Sequence, residues 1–271
     1  MHAVTTSDIA GVVLAAGFGS RLRPLTDVLP KPLCPVANEP LVDSAIAHVR
    51  TITGDVAVNV HHHRDRLQRH LEPLGVHLSI EDPEPLGTAG ALGRLRDWID
   101  GRPTLVHNSD AWHAADLVHQ LADGWDGERI RLLVVDPRPP MQADFADGTV
   151  FAGVSLNPWR DIAKLEPVPT GLWEVCWRQA DDEGRIERVR YDGPWFDTGT
   201  PSSYLAANLA ANHGRSVVAP GATIEPGAEI VRSVVWEGAT VAAGERLDEQ
   251  IRIVDLEGRT LTVDAPQAQR T

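Results

Sequence analysis

Short apolar runs alternate with amphipathic stretches through the first half of this 271-residue chain. Ile9–Ala15, Asp55–Val60, Val76–Ile80, Thr104–His107 and Arg131–Val135 carry the compact apolar pattern of buried strands, while Leu41–Thr51, Arg64–Leu74, Thr88–Ile99 and Ala114–Ala122 repeat apolar residues at helical spacing. Strand then helix, repeated, predicts an α/β fold: a Rossmann-like, mostly parallel sheet with helices on both faces. Ligands of such folds gather beyond the carboxyl ends of the strands, so motifs are weighed by whether they fall there. Further on, Thr200 and Pro201 predict a helix start, with the helix running to about Asn212. After it the texture changes. Val218, Ile224, Ile230, Val235, Val241 and Leu247 recur every six residues with one step of five, which predicts a short left-handed β-helix of hexapeptide repeats. The expected domains are therefore 1–212 and 213–271. So short a solenoid leaves an apolar end unless something packs on it, so a homo-oligomer joined through this tail is expected.

Composition narrows the function classes. With 42% apolar and 23% charged residues and no apolar run of membrane-spanning length, the chain reads as soluble. The opening MHAVTTSD has no basic segment followed by an apolar one, so a cytoplasmic location is expected. A formal charge of −13 repels a nucleic-acid backbone and an anionic membrane alike. Any phosphate bound here needs a local site, with a metal ion to help. Cys34 and Cys176 are isolated and are expected to be buried free thiols rather than metal ligands or a disulfide.

Only two of the 25 basic residues are lysines, Lys31 and Lys164, and Lys31 stands between Pro30 and Pro32. Ahead of it, Ala15-Ala16-Gly17-Phe18-Gly19-Ser20-Arg21 follows the first strand. Glycines let backbone amides approach a ligand and converge on phosphate. The loop is neither a Walker A sequence nor the dinucleotide fingerprint, and its spacing alone fits a tight structural turn equally well. The longer run decides the matter. Gly17-Phe-Gly-Ser-Arg-Leu-Arg-Pro-Leu-Thr, then Pro30-Lys31-Pro32-Leu33 and Asn38-Glu-Pro-Leu41, closely resembles the signature of the sugar-1-phosphate nucleotidyltransferases. The prolines then have a use: they fix the backbone around Lys31 and reduce the entropy lost when its ammonium meets phosphate.

That resemblance implies roles for further residues. Leu14, Ala15, Ala16, Gly17, Gly19 and Ser20 would bind the nucleotide, with Arg21 and Lys31 as the catalytic cations. Glu81-Asp82-Pro83-Glu84-Pro85-Leu86-Gly87-Thr88 resembles the second nucleotide-binding segment, contributing Glu81, Pro85, Gly87 and Thr88; Gly87 would admit a flat base and Thr88 would cap the next helix. Asn108 would join them, and Asp110 and Asp197 would hold Mg²⁺, since two hard oxygen ligands completed by phosphate and water suit that ion. Phe151-Ala-Gly153-Val-Ser155 resembles the sugar-binding strand, so Gly153, with Lys164 and Trp195, is assigned to the sugar. The family's second lysine, in a glutamate-lysine-proline motif, is missing from Asp136–Gly148; Arg138 or Lys164 could supply that charge, and Lys164 reads equally well as a plain surface lysine. In that shortness the chain resembles the compact N-acetylmuramate-1-phosphate uridylyltransferases. The repeat tail instead resembles the mannose-1-phosphate guanylyltransferases. The expected partners are a nucleoside triphosphate and a sugar 1-phosphate, with GTP and a mannose-like or other cyclic 1-phosphate favoured, UTP or another base as the alternative, and an inactive regulatory subunit as the contrary reading. His61-His62-His63 is read as a solvated loop, because consecutive residues do not converge on one ion. Trp173 and Trp177 are read as packing residues.

Overall fold

A computed structural model describes residues 9–114, 117–138 and 141–267. The chain divides into two compact units, one made of Met1–Gly17, Val42–Ser109 and His113–Gly193, the other of Phe18–Leu41, Asp110–Trp112 and Pro194–Thr271.

The first unit is built on a seven-stranded sheet. Its strands are β1 (Ala10–Leu14), β2 (Val56–Val60), β3 (His77–Ile80), β4 (Thr104–Asn108), β5 (Ile130–Val135), β6 (Val150–Asn157) and β7 (Ile186–Arg190), in the order β7-β5-β6-β4-β1-β2-β3. β1 pairs in parallel with β2 and β4, β2 with β3, and β5 with β7, while β6 runs antiparallel to both β4 and β5. The α/β class with a mostly parallel sheet is as the sequence pattern predicts. The reversed β6 is not visible in it, because a strand buried on both faces reads the same in either direction.

Helix boundaries shift by small amounts. The helices are Leu41–Arg50, Arg64–Leu71, Gly87–Ile99 and Leu117–Ala122; a 3-10 turn takes Glu72–Leu74, and residues 115 and 116 of the last expected helix lie outside the described part. Two glycine placements have packing causes. A Cβ on Gly11 would lie 2.3 Å from Val49 Cγ1, so β1 receives the helix Leu41–Arg50 at a distance only glycine allows. A Cβ on Gly87, Gly90 or Gly93 would come within about 2.5 Å of the Thr170, Val168 or Glu166 backbone, respectively. The segment 166–170 therefore lies directly on the glycine face of Gly87–Ile99, with the Ala89 N–H donating to the Thr170 carbonyl at 3.0 Å. Trp173–Trp177 forms a short π-helix; Trp177 is buried, and the Trp173 ring meets Phe145 edge-on, so both tryptophans pack as expected.

In the second unit the helix Pro201–Ala211 begins as predicted, with Thr200 and Ser203 forming a reciprocal capping box. It buries Tyr204, Leu205 and Leu209 against Cys34, Val36, Val217, Val234, Trp236, Ile251 and Ile253. Tyr204 donates its hydroxyl to the Pro35 carbonyl and accepts from Trp236 Nε1 at 3.0 Å, which fixes the segment after Lys31 to the helix and to the tail. The tail holds short strands in parallel pairs: Val218 with Val235, Ile224 with Val241 and Ile230 with Leu247, each partner 17 residues further along the chain. Those are the positions of the sequence repeat. Gln250–Val254 then turns back antiparallel onto Thr260–Asp264, a hairpin the six-residue period did not announce.

Candidate active site

Four charged side chains meet in the second unit. The ammonium of Lys31 lies 3.5 Å from Asp110 Oδ2 and 3.9 Å from Asp197 Oδ1, and Arg21 Nη1 lies 3.9 Å from Asp197 Oδ2. Lys31 is 7% exposed, whereas the carboxylates are 54% and 38% exposed and Arg21 is 68% exposed. A buried cation thus stands under two carboxylates that remain open to solvent. The 3-10 turn Lys31–Leu33, entered through Pro30, holds its backbone. Gly19 has φ 63°, and a Cβ there would meet Lys31 Cβ at 2.9 Å and Thr26 Cγ2 at 3.0 Å, so the glycine loop and the lysine are packed together. Thr26 Oγ1 closes that loop by donating to the Gly19 carbonyl at 3.0 Å. Gly199 serves the same end opposite: a Cβ there would lie 2.9 Å from Asp197 Oδ1 and 3.0 Å from Arg21 Nη2.

The two aspartates are tied together by a residue sequence reasoning passed over. Thr198 donates both its backbone N–H, at 3.3 Å, and its hydroxyl, at 2.9 Å, to the Asp110 carbonyl. As a donor set, two exposed carboxylates converging on one cationic position fit Mg²⁺, which takes few protein ligands and keeps several waters.

In the first unit a buried relay through Asn59 links two other predicted residues, Ala15 and Glu81, to the Leu86 amide. Asn59 Oδ1 accepts the Ala15 N–H, Asn59 Nδ2 donates to Glu81 Oε1, and Glu81 Oε2 accepts the Leu86 N–H, each at 2.7 Å. Glu81 is 1% exposed. Its carboxylate therefore shapes the loops at Ala15 and Leu86, and the Ala15 amide is already committed. Asn59, on β2, had only one sequence signal, a polar residue inside an apolar strand. Ser109 fastens the ends of β1 and β4, donating Oγ to the Leu14 carbonyl at 2.7 Å, beside the pair Leu14 and Asn108. Gly153, at φ 87°, backs onto Asn108: a Cβ there would meet Asn108 Cβ at 3.3 Å.

Other assignments are altered by the structure. Thr88 is not a cap; it sits inside the helix and accepts the Leu172 N–H at 2.8 Å. The close approach at Gly87 is taken by the Thr170 backbone, and Pro85 lies in the loop between Glu81 and Leu86. Trp195 is buried in the strand Trp195–Asp197. Lys164 is exposed in the segment after Trp159–Ile162, within electrostatic range of Cys176 and Glu183. Both cysteines are free; Cys34 is buried and its thiol is pushed up to about 12 by that burial, whereas Cys176 is half-buried, a departure from the expected burial. His61 leaves the solvated set, with Nδ1 3.0 Å from the Glu81 carbonyl. The sequence also gave no hint that His48, His107 and His113 meet within the first unit. Burial, with His113 and His48 beside it, holds the His107 imidazole well below its ordinary value.

Comparison with known proteins agrees with this geometry. The nucleotidyl transferase family profile matches residues 10–139. The N-acetylmuramate alpha-1-phosphate uridylyltransferase of Caulobacter vibrioides is 30% identical over 227 residues, covering 72% of this chain and 94% of that protein. The chain belongs to the sugar-1-phosphate nucleotidyltransferase family. Another relative in that family, the mannose-1-phosphate guanylyltransferase catalytic subunit beta of Dictyostelium discoideum, is 27% identical, with 72% of this chain covering 62% of its length. A solved Bacillus anthracis structure, provisionally named a glucose-1-phosphate thymidylyltransferase, superposes with a TM-score of 0.63 at 21% identity, over 75% of this chain and 95% of that one, and shows the shared fold. No helix among the described residues is long and apolar enough to cross a membrane.

Proposed function

We propose that this nucleotidyltransferase joins a nucleoside triphosphate to a sugar 1-phosphate and releases pyrophosphate. The observation that carries the reading is the meeting of Lys31 with Asp110 and Asp197. A phosphate oxygen of the sugar 1-phosphate attacks the α-phosphorus in line, and the bond from that phosphorus to the β-phosphate oxygen breaks. The nucleophile is already ionised, so the protein need only align two polyanions and offset their charge. Lys31 is held rigid by its neighbours and loses little entropy on meeting phosphate, while exposed Arg21 is free to follow the triphosphate. Gly17, Gly19 and Ser20 offer backbone amides to the phosphates. Glu81 acts through the loops it holds rather than by touching the base. The charges of Arg21, Lys31, Asp110 and Asp197 sum to zero, which is poor for binding polyanions. Mg²⁺ on Asp110 and Asp197 would turn that sum positive and supply charge stabilisation between the phosphates.

For the substrates we favour GTP with a mannose-like or related cyclic 1-phosphate. Support comes from the tail, where the 17-residue register of parallel pairs suits a short left-handed β-helix like that of the guanylyltransferases, and where self-association is proposed. UTP is the second reading, favoured by the coverage of the Caulobacter uridylyltransferase. Gly153 against Asn108 is consistent with a sugar-facing wall next to the nucleotide segment; the placement of Lys164 lends its sugar role no support. The test is a matrix of common nucleoside triphosphates against sugar 1-phosphates, read as pyrophosphate release. A tenfold preference for UTP or ATP would overturn the guanylyl reading, and no release with any pair would leave a binding subunit.

A further inference from the structure

His48 comes from the helix Leu41–Arg50, His107 from β4 and His113 from the strand Ala111–His113, and one potential ligand atom of each lies within 4.8 Å of the others. His107 and His113 are almost wholly buried, at 1% and 2% exposure. Their protons can be assigned from their partners. His107 Nδ1 lies 2.8 Å from the Asn108 carbonyl, and His113 Nε2 lies 2.7 Å from the Ala152 carbonyl. A carbonyl oxygen only accepts, so each of these nitrogens carries the hydrogen, and in a neutral imidazole the opposite nitrogen carries a lone pair. The nitrogens on offer are then His107 Nε2 and His113 Nδ1, beside His48 Nδ1, which is 3.3 Å from His107 Nε2.

We propose that His48, His107 and His113 form a binding site for a divalent transition-metal ion, Zn²⁺ foremost, with a ligand set that shares no residue with Asp110 and Asp197. Imidazole nitrogens suit zinc and its neighbours and not Mg²⁺, which demands oxygen. Zinc bonds of about 2.0–2.1 Å arranged tetrahedrally set ligand nitrogens roughly 3.3–3.4 Å apart, which is the His48 to His107 separation. Ring N–H groups donating to backbone carbonyls are the usual outer shell that orients histidine ligands. A plain hydrogen bond joins His48 and His107, and His113 brings a third imidazole against them, its ring edge-on to His107 at 5.1 Å between centroids. Three protein nitrogens leave a fourth position for water. His107 and His113 stand three residues before and after Asp110 in the chain. The site does not depend on the proposed reaction.

The experiment uses full-length, tag-free protein stripped with chelator. Zn²⁺ alone is titrated in competition with a chromogenic chelator, and Co²⁺ is added separately to read the visible bands of a tetrahedral site. Expected are one Zn²⁺ per chain bound at micromolar or tighter affinity, a loss of at least about tenfold in His48→Gln, and unchanged binding in the double variant His62→Ala, His63→Ala. Zinc binding no tighter in the wild type than in His48→Gln, or abolished by the double variant, would overturn the proposal and leave a hydrogen-bonded histidine core. Should His48→Gln fail to fold by circular dichroism, the Co²⁺ spectrum of the wild type and of the double variant decides: strong tetrahedral bands in both support the site, and their absence from either removes it.

Discussion

Thr198 holds the carbonyl oxygen of Asp110 with two donors, its backbone N–H at 3.3 Å and its hydroxyl at 2.9 Å. The contact joins the two proposed Mg²⁺ ligands through one residue, since Asp197 precedes Thr198 directly. Thr198→Val keeps the shape and the backbone bond but removes the hydroxyl. About 1 kcal/mol of stability should be lost, and the Mg²⁺ concentration for half-maximal pyrophosphate release should rise several-fold. An unchanged Mg²⁺ dependence would separate this hydrogen bond from the placing of Asp110.

Asp110→Asn and Asp197→Asn are expected to remove most Mg²⁺-dependent turnover and leave the fold intact, because an amide keeps the size and loses the charge. Both side chains are substantially exposed, so folding should tolerate the change. Lys31→Ala should lower kcat/KM by roughly 10²-fold or more, the scale of losing one preorganised electrostatic contact. Steady-state kinetics across millimolar Mg²⁺ checks all three. A loss under about threefold for Lys31→Ala would mean that the lysine only balances the two aspartates.

Glu81 accepts from Asn59 and from the Leu86 amide on its two oxygens. Glu81→Gln would set an NH₂ against one of those donors. The expected cost is about 1–3 kcal/mol, seen as a lower denaturant midpoint, together with a higher KM for the triphosphate as the Ala15 and Leu86 loops relax. A variant of wild-type stability would show that the relay carries no energy.

Burial raises the Cys34 thiol from 9.0 to about 12. The folded state keeps this proton where the unfolded chain releases it, so stability is full below about pH 9 and declines as pH rises towards 12. The slope is about 1.4 kcal/mol per pH unit for one thiol. Cys176, raised to about 11 chiefly by burial, adds in the same direction. Cys34→Ala should flatten the alkaline slope by about one proton's worth, measured as unfolding free energy against pH. A slope identical in variant and wild type would contradict the shift.

Removal of residues 213–271 should give aggregate rather than a working catalytic fragment. The deletion strips Val217, Val234, Trp236, Ile251 and Ile253 from Tyr204, Leu205 and Leu209, leaving a wide apolar face uncovered. Light scattering on the truncated and full-length chains checks this. A soluble, active 1–212 fragment would show that the helix Pro201–Ala211 needs no tail.

Much of the architecture was legible because it rests on local pattern. Strands such as Val56–Val60 announce themselves by apolar runs, the start of Pro201–Ala211 by a threonine and a proline, and the tail pairing by a repeat whose positions meet in register. The motif around Gly17–Lys31 was legible for a different reason: glycines and prolines constrain the backbone residue by residue, so the family signature keeps a fixed spacing. Elements set by distant partners were not legible. The antiparallel course of β6 depends on which neighbours it pairs with, and Gly87, expected to admit a flat base, instead meets the Thr170 backbone, as Gly90 and Gly93 meet Val168 and Glu166.

By itself the sequence determined the fold class, the order of the elements along the first half and the family signature around Gly17–Lys31, because periodicity and backbone restriction are properties of neighbours along the chain. Only the tertiary structure decided that Lys31 lies beneath Asp110 and Asp197, that Thr198 binds the one aspartate to the other, that Glu81 is a buried fastener joined to Asn59, and that three histidines from separate elements converge. Most of those relations join residues tens of positions apart. Packing and the pairing of buried polar groups select them, and neither force leaves a periodic trace in the chain.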